Sequence, residues 1–167
     1  MAEPARPAVP EGPYLVMGIG NAGQAAVAAL SALAGPSSVL VFDDSAGSEV
    51  RGRRRRLEKL GVCFVDDPVP VLRDAGAVIK SPGVLMGHPV IEAAERRGIP
   101  VLDELELGWR LCSQPTVAVT GTDGKSTTCA LVMAVLGAAG GDPLLTGNVE
   151  AFRRSPAMTH VPAEHPG

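Results

Sequence analysis

The residues that could do chemistry in this sequence sit beside glycines. One stretch reads Thr120-Gly121-Thr122-Asp123-Gly124-Lys125-Ser126-Thr127-Thr128. It follows the β-branched run Thr116-Val117-Ala118-Val119 and precedes an apolar helical pattern from Cys129 to Leu136. A glycine turn between a strand and a helix aims backbone N–H groups at one point, where the helix dipole also favours negative charge. Lys125 adds a full charge for phosphate oxygens, and the Ser126 hydroxyl is placed to ligate magnesium. The loop is one step tighter than a Walker A loop, whose first glycine would fall at Val119. An ordinary glycine turn with a solvated lysine would use the same glycines. The agreement of strand, two glycines, lysine, hydroxyls and helix favours phosphate binding.

A second stretch, Gly18-Ile19-Gly20-Asn21-Ala22-Gly23, matches G-x-G-x-x-G. It follows the strand-like Tyr14–Met17 and precedes a helix with Val27, Leu30 and Ala34 at helical spacing. Asp43 closes the next apolar run, Val39–Phe42, about twenty positions after the last glycine, where an acid meets a ribose in a Rossmann unit. A third stretch, Ser81-Pro82-Gly83, ends the run Gly76–Lys80. Open α/β sheets bind ligands at the carboxyl ends of their strands, although Pro-Gly also makes a plain turn. Spacing does not choose the nucleotide, because a dinucleotide and a UDP-sugar use the same backbone geometry. A lone His88 reads as a surface residue.

The elements that position these stretches form an α/β pattern. Five strands are expected from Tyr14, Val39, Val62, Ala77 and Ile99, giving a Rossmann-like, mostly parallel sheet. A helix is expected across the arginine-rich Gly52–Lys59 with Leu57 and Leu60 inward, a short one over Val69–Asp74, and one over Val90–Arg97. Another is capped by Asp103 and runs through Leu107 to Arg110. The first βα unit of a P-loop-type domain follows, with strand Thr116–Thr120 and helix Lys125–Leu136. The expected core is Val16, Val27, Leu30, Val41, Val78, Val117, Val119, Leu131 and Val135. The domain reading is a disordered lead-in over 1–12, a nucleotide-substrate domain over 13–112, the start of an ATP-binding domain over 113–150, and an irregular tail over 151–167.

Charge and composition remove several classes. The net charge is −3, and the arginines Arg51 to Arg56 have no interleaved aromatics, so they read as a solvated helix face and not a nucleic-acid patch. No apolar run reaches the roughly 18 residues of a membrane span. The first residues are rich in proline and lack a signal peptide's apolar centre. Cys63, Cys112 and Cys129 show no metal or disulfide spacing and read as small buried residues. A cytoplasmic protein is expected.

The motifs in order resemble the Mur ligases of peptidoglycan synthesis, and among them the branch that adds D-glutamate. The resemblance rests on Gly18–Gly23, Asp43, Ser81-Pro82-Gly83, His88-Pro89, Ala93-Ala94, Gly98–Val101, Glu104–Leu107, Thr120–Thr128 and Gly147-Asn148. It implies that the first domain holds the UDP part of UDP-N-acetylmuramoyl-L-alanine. Gly18, Ile19, Gly20, Asn21, Ala22 and Gly23 would face the diphosphate, with Asp43, Ser81, Pro82 and Gly83 near the uridine and Asn148 near the muramoyl end. ATP would sit on Gly121, Thr122, Asp123, Gly124, Lys125, Ser126 and Thr127, with Mg2+ on Ser126 and Lys125 as the catalytic cation. The implied reaction passes through an acyl phosphate that the D-glutamate amine attacks. Asp123 stands where the family usually has asparagine, which puts an extra negative charge beside the phosphates. From Ala151 the sequence shows no helical or strand period, and the reading is of an inactive piece: truncated, frame-shifted or a natural fragment. Other readings are a non-catalytic nucleotide-binding protein or remnant, another Mur ligase, or an NAD-dependent oxidoreductase, which would leave Gly121–Thr127 unexplained. Neither nucleic acid nor membrane is expected as a partner.

Overall fold

The computed structural model describes residues 5–146. The tail 151–167 lies outside the described residues. The chain divides into two compact units, Met1–Ser113 and Gln114–Gly167.

The first unit is built on five parallel strands: β1 (Tyr14–Met17), β2 (Val39–Phe42), β3 (Cys63–Phe64), β4 (Ala77–Lys80) and β5 (Val101–Asp103). Their order is β3-β2-β1-β4-β5, so β1 is central. All four β1 residues are buried, as a parallel strand covered on both faces requires. Register pairs Val16 with Val41 on one side and Ile79 on the other. Val16, Val41 and Val78 therefore share one sheet, as expected.

Five α-helices are described: α1 (Asn21–Ala34), α2 (Ser48–Lys59), α3 (Pro89–Arg96), α4 (Glu104–Leu111) and α5 (Lys125–Ala138). Val27 and Leu30 of α1, Leu57 of α2 and Leu107 of α4 pack with Val16 and Val41 in one core layer. Ile91 and Ala94 of α3 pack with Leu15, Met17 and Val78 in the other. This two-layer cover of a parallel sheet is the Rossmann-like α/β arrangement.

Several local expectations need correction. The third strand shrinks to Cys63–Phe64, because only Leu40 and Val41 offer it partners at the sheet edge. The 69–74 segment is a 3₁₀ turn over Pro70–Arg73. Leu60 is exposed, since α2 ends at Lys59 and turns it away from the layer that holds Leu57. Cys63 and Cys112 are exposed, and Cys129 is half-buried. Residues 5–12 hold no helix or strand, yet they strap the unit. Arg6 donates to the carbonyls of Trp109 and Cys112, and Arg110 to that of Ala8 at 2.9 Å. The Tyr14 hydroxyl reaches Pro10 O at 2.9 Å, and Val9 packs on the core.

In the second unit α5 forms, but 116–119 is not a strand. Val117, Leu131 and Val135, expected in the core, are 66%, 63% and 67% exposed, and Val119 is only half-buried. A strand needs a neighbouring ladder, and an apolar helix face needs a sheet to cover it. Among the described residues of this unit there is no such sheet.

Candidate functional site

The first constellation gathers at the carboxyl ends of β1, β2 and β4. Gly18 leaves β1 with φ +84°, a conformation that favours glycine. Its amide donates to Phe42 O at 2.8 Å, which ties the turn to β2. A Cβ on Gly23 would lie 1.9 Å from Gly18 O and 2.8 Å from Ser81 Oγ, so α1 can approach β1 only with glycine there. The opposite holds at Gly20, where a methyl group would find nothing within 4 Å and the turn stays open. Gly20 precedes α1 without a side-chain cap, and no acidic residue occupies the first turn of α1. The early amides of α1 thus open toward a site that suits an anion.

Asp43 and Ser81 hold this turn from either side. The Asp43 carboxylate accepts from Ile19 N at 2.6 Å and from Ser45 N at 2.8 Å. The buried Ser81 hydroxyl donates to Gly18 O at 3.0 Å, and its amide donates to Met17 O at 2.9 Å. Pro82 and Gly83 continue into a turn closed by Val84 N on Ser81 O at 2.9 Å. Gln24 adds a contact that sequence reasoning missed, reaching Ile19 O at 3.3 Å. Asn21 and Ala22 begin α1. Ile19, Asp43, Ser45, Val50, Arg51, Arg54 and Phe64 line a cleft of about 90 Å³ beside the turn.

His88 is more than a surface residue. Its Nδ1 accepts from Val90 N at 3.2 Å and so caps α3. Its ring meets Phe42 edge-on with centroids 6.2 Å apart, and its Nε2 lies 3.6 Å from the Asp44 carboxylate. The signal available in sequence was weak, a His just before Pro89 at a helix start, and histidine is not a favoured cap.

The second constellation is the loop ahead of α5. Gly124 takes φ +75° at the helix start. Lys125 Nζ folds back to donate to the carbonyls of Gly121 and, at 3.0 Å, Thr122. Thr122, Asp123, Ser126 and Thr127 are exposed around it, and the first turn of α5 carries no acid. This cradle fits a polyphosphate: free amides, a lysine already aimed along the loop, and no competing carboxylate on the helix. For magnesium the described residues offer the Ser126 hydroxyl, and they hold no cluster of three or more His, Cys, Asp or Glu side chains suited to a metal. Magnesium commonly takes one or two protein ligands plus phosphates and waters, so Ser126 fits that use. Asn148 lies outside the described residues.

Known proteins resemble this chain over most of its length. Over 138 residues the chain is 38% identical to the UDP-N-acetylmuramoylalanine–D-glutamate ligase of a Synechococcus species, covering 81% of this chain and 28% of that enzyme. Over 148 residues it is 35% identical to the ligase of the same name from Streptococcus uberis, covering 87% of this chain and 32% of that one. Over about four fifths of its length the chain is a homologue of Mur ligases. It spans about a third or less of the length of the curated relatives it matches. A solved UDP-N-acetylmuramate–alanine ligase from Thermotoga maritima aligns at 33% identity over 74% of this chain and 29% of its own, with a TM-score of 0.47. No family model matches. No helix among the described residues is long and apolar enough to cross a membrane.

Proposed function

We propose that this chain carries the UDP-substrate unit and the ATP loop of a cytoplasmic ligase that joins D-glutamate to UDP-N-acetylmuramoyl-L-alanine. The observation that carries the reading is the open turn Gly18–Gly23, tied to Asp43 and Ser81, in a chain that matches ligases of that name. In this reading the early amides of α1 take the substrate diphosphate. Asp43 and the Ser81-Pro82-Gly83 turn flank the uridine, and Asn148 serves the muramoyl end.

The loop Gly121–Thr127 takes ATP with Mg2+ on Ser126. Bound magnesium would screen charge on the phosphate oxygens. Lys125 must leave the carbonyls of Gly121 and Thr122 to meet phosphate, and its charge then steadies the phosphoryl group passing to the substrate carboxylate. The resulting acyl phosphate is the species the D-glutamate amine attacks. The 167-residue chain itself is expected to bind nucleotide without making the amide, because its described residues leave the apolar face of α5 uncovered.

The test is calorimetric titration of the 167-residue protein with UDP-N-acetylmuramoyl-L-alanine and, separately, NADH. Saturable binding of the first and none of the second is expected. Binding of NADH alone would replace this reading with the oxidoreductase one. A parallel assay follows phosphate release with ATP, magnesium and D-glutamate. Robust D-glutamate-dependent release would show that the chain is catalytically sufficient.

A further inference from the structure

We infer that the outward face of α2 is a docking surface for an anionic membrane, met through the headgroups of acidic lipids. This inference does not rest on the nucleotide reading above.

Read from the sequence, Arg51 to Arg56 make a solvated helix face and no membrane partner. The fold sorts that run into two sets. Arg53 pairs with Glu49. Arg54 pairs with Glu58 and, at 3.6 Å, with Asp66, while lying 4.8 Å from the centre of the Phe64 ring. These two arginines hold the nearby carboxylates along the flanks of the helix. Arg51, Arg55, Arg56 and Lys59 are exposed and form no ion pair among the described residues.

The four unpaired cations share one side of the helix. They stand at i, i+4, i+5 and i+8, an arc of about 140° and about 12 Å of axis at helical geometry. Only Ser48 and Gly52 of α2 fall in the same arc, so no carboxylate of the helix interrupts it. Leu57, buried in the core layer, points the opposite way. Burial of Leu57 thus aims the cations straight out from the sheet. Arg56 and Lys59 lie in the last turn and suit the helix dipole there. The dipole acts only within that turn, so it does not call for Arg51 or Arg55.

A face of this kind fits a polyanion, and its shape selects which. It is convex and rests on a sheet, so it can lie on a plane of headgroups without any groove. It ends at Leu60, 67% exposed, which suits the boundary between headgroups and acyl chains. Single-stranded nucleic acid wants aromatic platforms, and α2 has none, while Phe64 is half-buried under Arg54. Each basic side chain near an anionic leaflet raises binding about fivefold. The attraction reaches about a Debye length and weakens with salt.

The experiment is sedimentation of the 167-residue protein with vesicles of phosphatidylcholine alone and of equal parts phosphatidylcholine and phosphatidylglycerol. Three chains are compared: the natural one, Arg55→Gln/Arg56→Gln/Lys59→Gln, and Arg73→Gln/Arg96→Gln/Arg97→Gln. Arg51 is left alone because it lines the cleft beside Asp43. The two variants lose the same charge, but the second set belongs to the end of α3 and the 70–73 turn, which pack in the other core layer. At low salt the natural chain should sediment with the anionic vesicles and not with the neutral ones, and high salt should release it. The α2 variant should bind about a hundredfold more weakly, the product of three charges. The other variant should keep most of the binding. Circular dichroism melts check folding, and Arg55→Gln alone, with an expected loss of about fivefold, stands in if the triple variant does not fold. Equal losses in the two triple variants overturn the inference, as does binding to neutral vesicles that matches the anionic ones. Absence of sedimentation with anionic vesicles overturns it too, and binding to duplex DNA in its place would assign the face to nucleic acid.

Discussion

Gly23 packs against the Gly18 carbonyl and the Ser81 hydroxyl with no room for a methyl group. Gly23→Ala should push α1 off β1, lower stability by about 1–3 kcal/mol and abolish UDP binding. Urea denaturation with a UDP titration checks both, and an alanine variant of native stability would contradict the packing described. Asp123 poses a separate question. It is exposed in the phosphate loop and adds a negative charge where ATP brings several. A unit charge a few ångströms from phosphate in a solvated loop is worth about 1 kcal/mol. Asp123→Asn should therefore tighten ATP binding several-fold at low salt, with the gain shrinking at high salt as screening grows. Equal ATP affinity of the two proteins in low-salt titrations would show that Asp123 does not face the nucleotide.

The elements differ in how far their residues declare them. β1, β2 and β4 were legible because a strand covered on both faces needs a nearly unbroken apolar run, and such runs are hard to place elsewhere. The run 116–119 reads the same way yet is no strand, because a run records what a segment could bury and says nothing of whether a neighbour is present. For the same reason α5 was legible as a helix but not as an exposed one. Side chains that act on the backbone were hidden: the Asp43 bonds to Ile19 and Ser45, the grip of Ser81 on Gly18 and the His88 cap on α3 all join residues whose pairing depends on topology. A 14-residue helix with little tertiary cover is marginal. Amides in α5 should therefore exchange hydrogen at least about a hundredfold faster than those of β1; comparable protection in a native-state exchange experiment would mean that the face is covered in solution. Glu104 gives a pH test in α4. Burial holds its carboxyl above the ordinary 4.5, with Asp103 adding to the shift and Lys80 opposing it. The folded state thus binds this proton more tightly than the unfolded chain, so the contribution is full at low pH and lost as pH rises through the raised value. Glu104→Gln should remove that loss, giving a stability gain over the natural chain near pH 7 that fades below pH 4.5. A gain that does not vary with pH would assign the effect to packing.

At the scale of the whole molecule, the chain divides into the units Met1–Ser113 and Gln114–Gly167. The first carries both core layers, and the strap contributes to it: Val9 packs on the core while Arg6 and Arg110 tie residues 6–8 to α4. Deleting residues 1–12 should lower the stability of the first unit by about 2 kcal/mol, the sum of a partly buried valine and a few surface hydrogen bonds. Thermal melts of the shortened and natural chains measure it, and coincident melts would mean that the strap is only a passenger. The crevice proposed for nucleotide lies on strand ends, so binding there should survive the deletion even where stability falls.

The Arg6 guanidinium reaches the carbonyl of Cys112, one residue before the first unit closes at Ser113. The strap at Arg6 and the chain at Cys112 are thus neighbours, and between these two residues the unit is nearly a closed ring of chain. A body with that property can be cut and rejoined without disturbing its sheet. A circular permutant that links Ser113 to Arg6 and opens at the exposed 85–87 loop should keep its strand order. The same property suits the stretch from Arg6 to Cys112 to travel as an inserted cassette, carrying the crevice proposed for nucleotide into another protein with its two junctions close together.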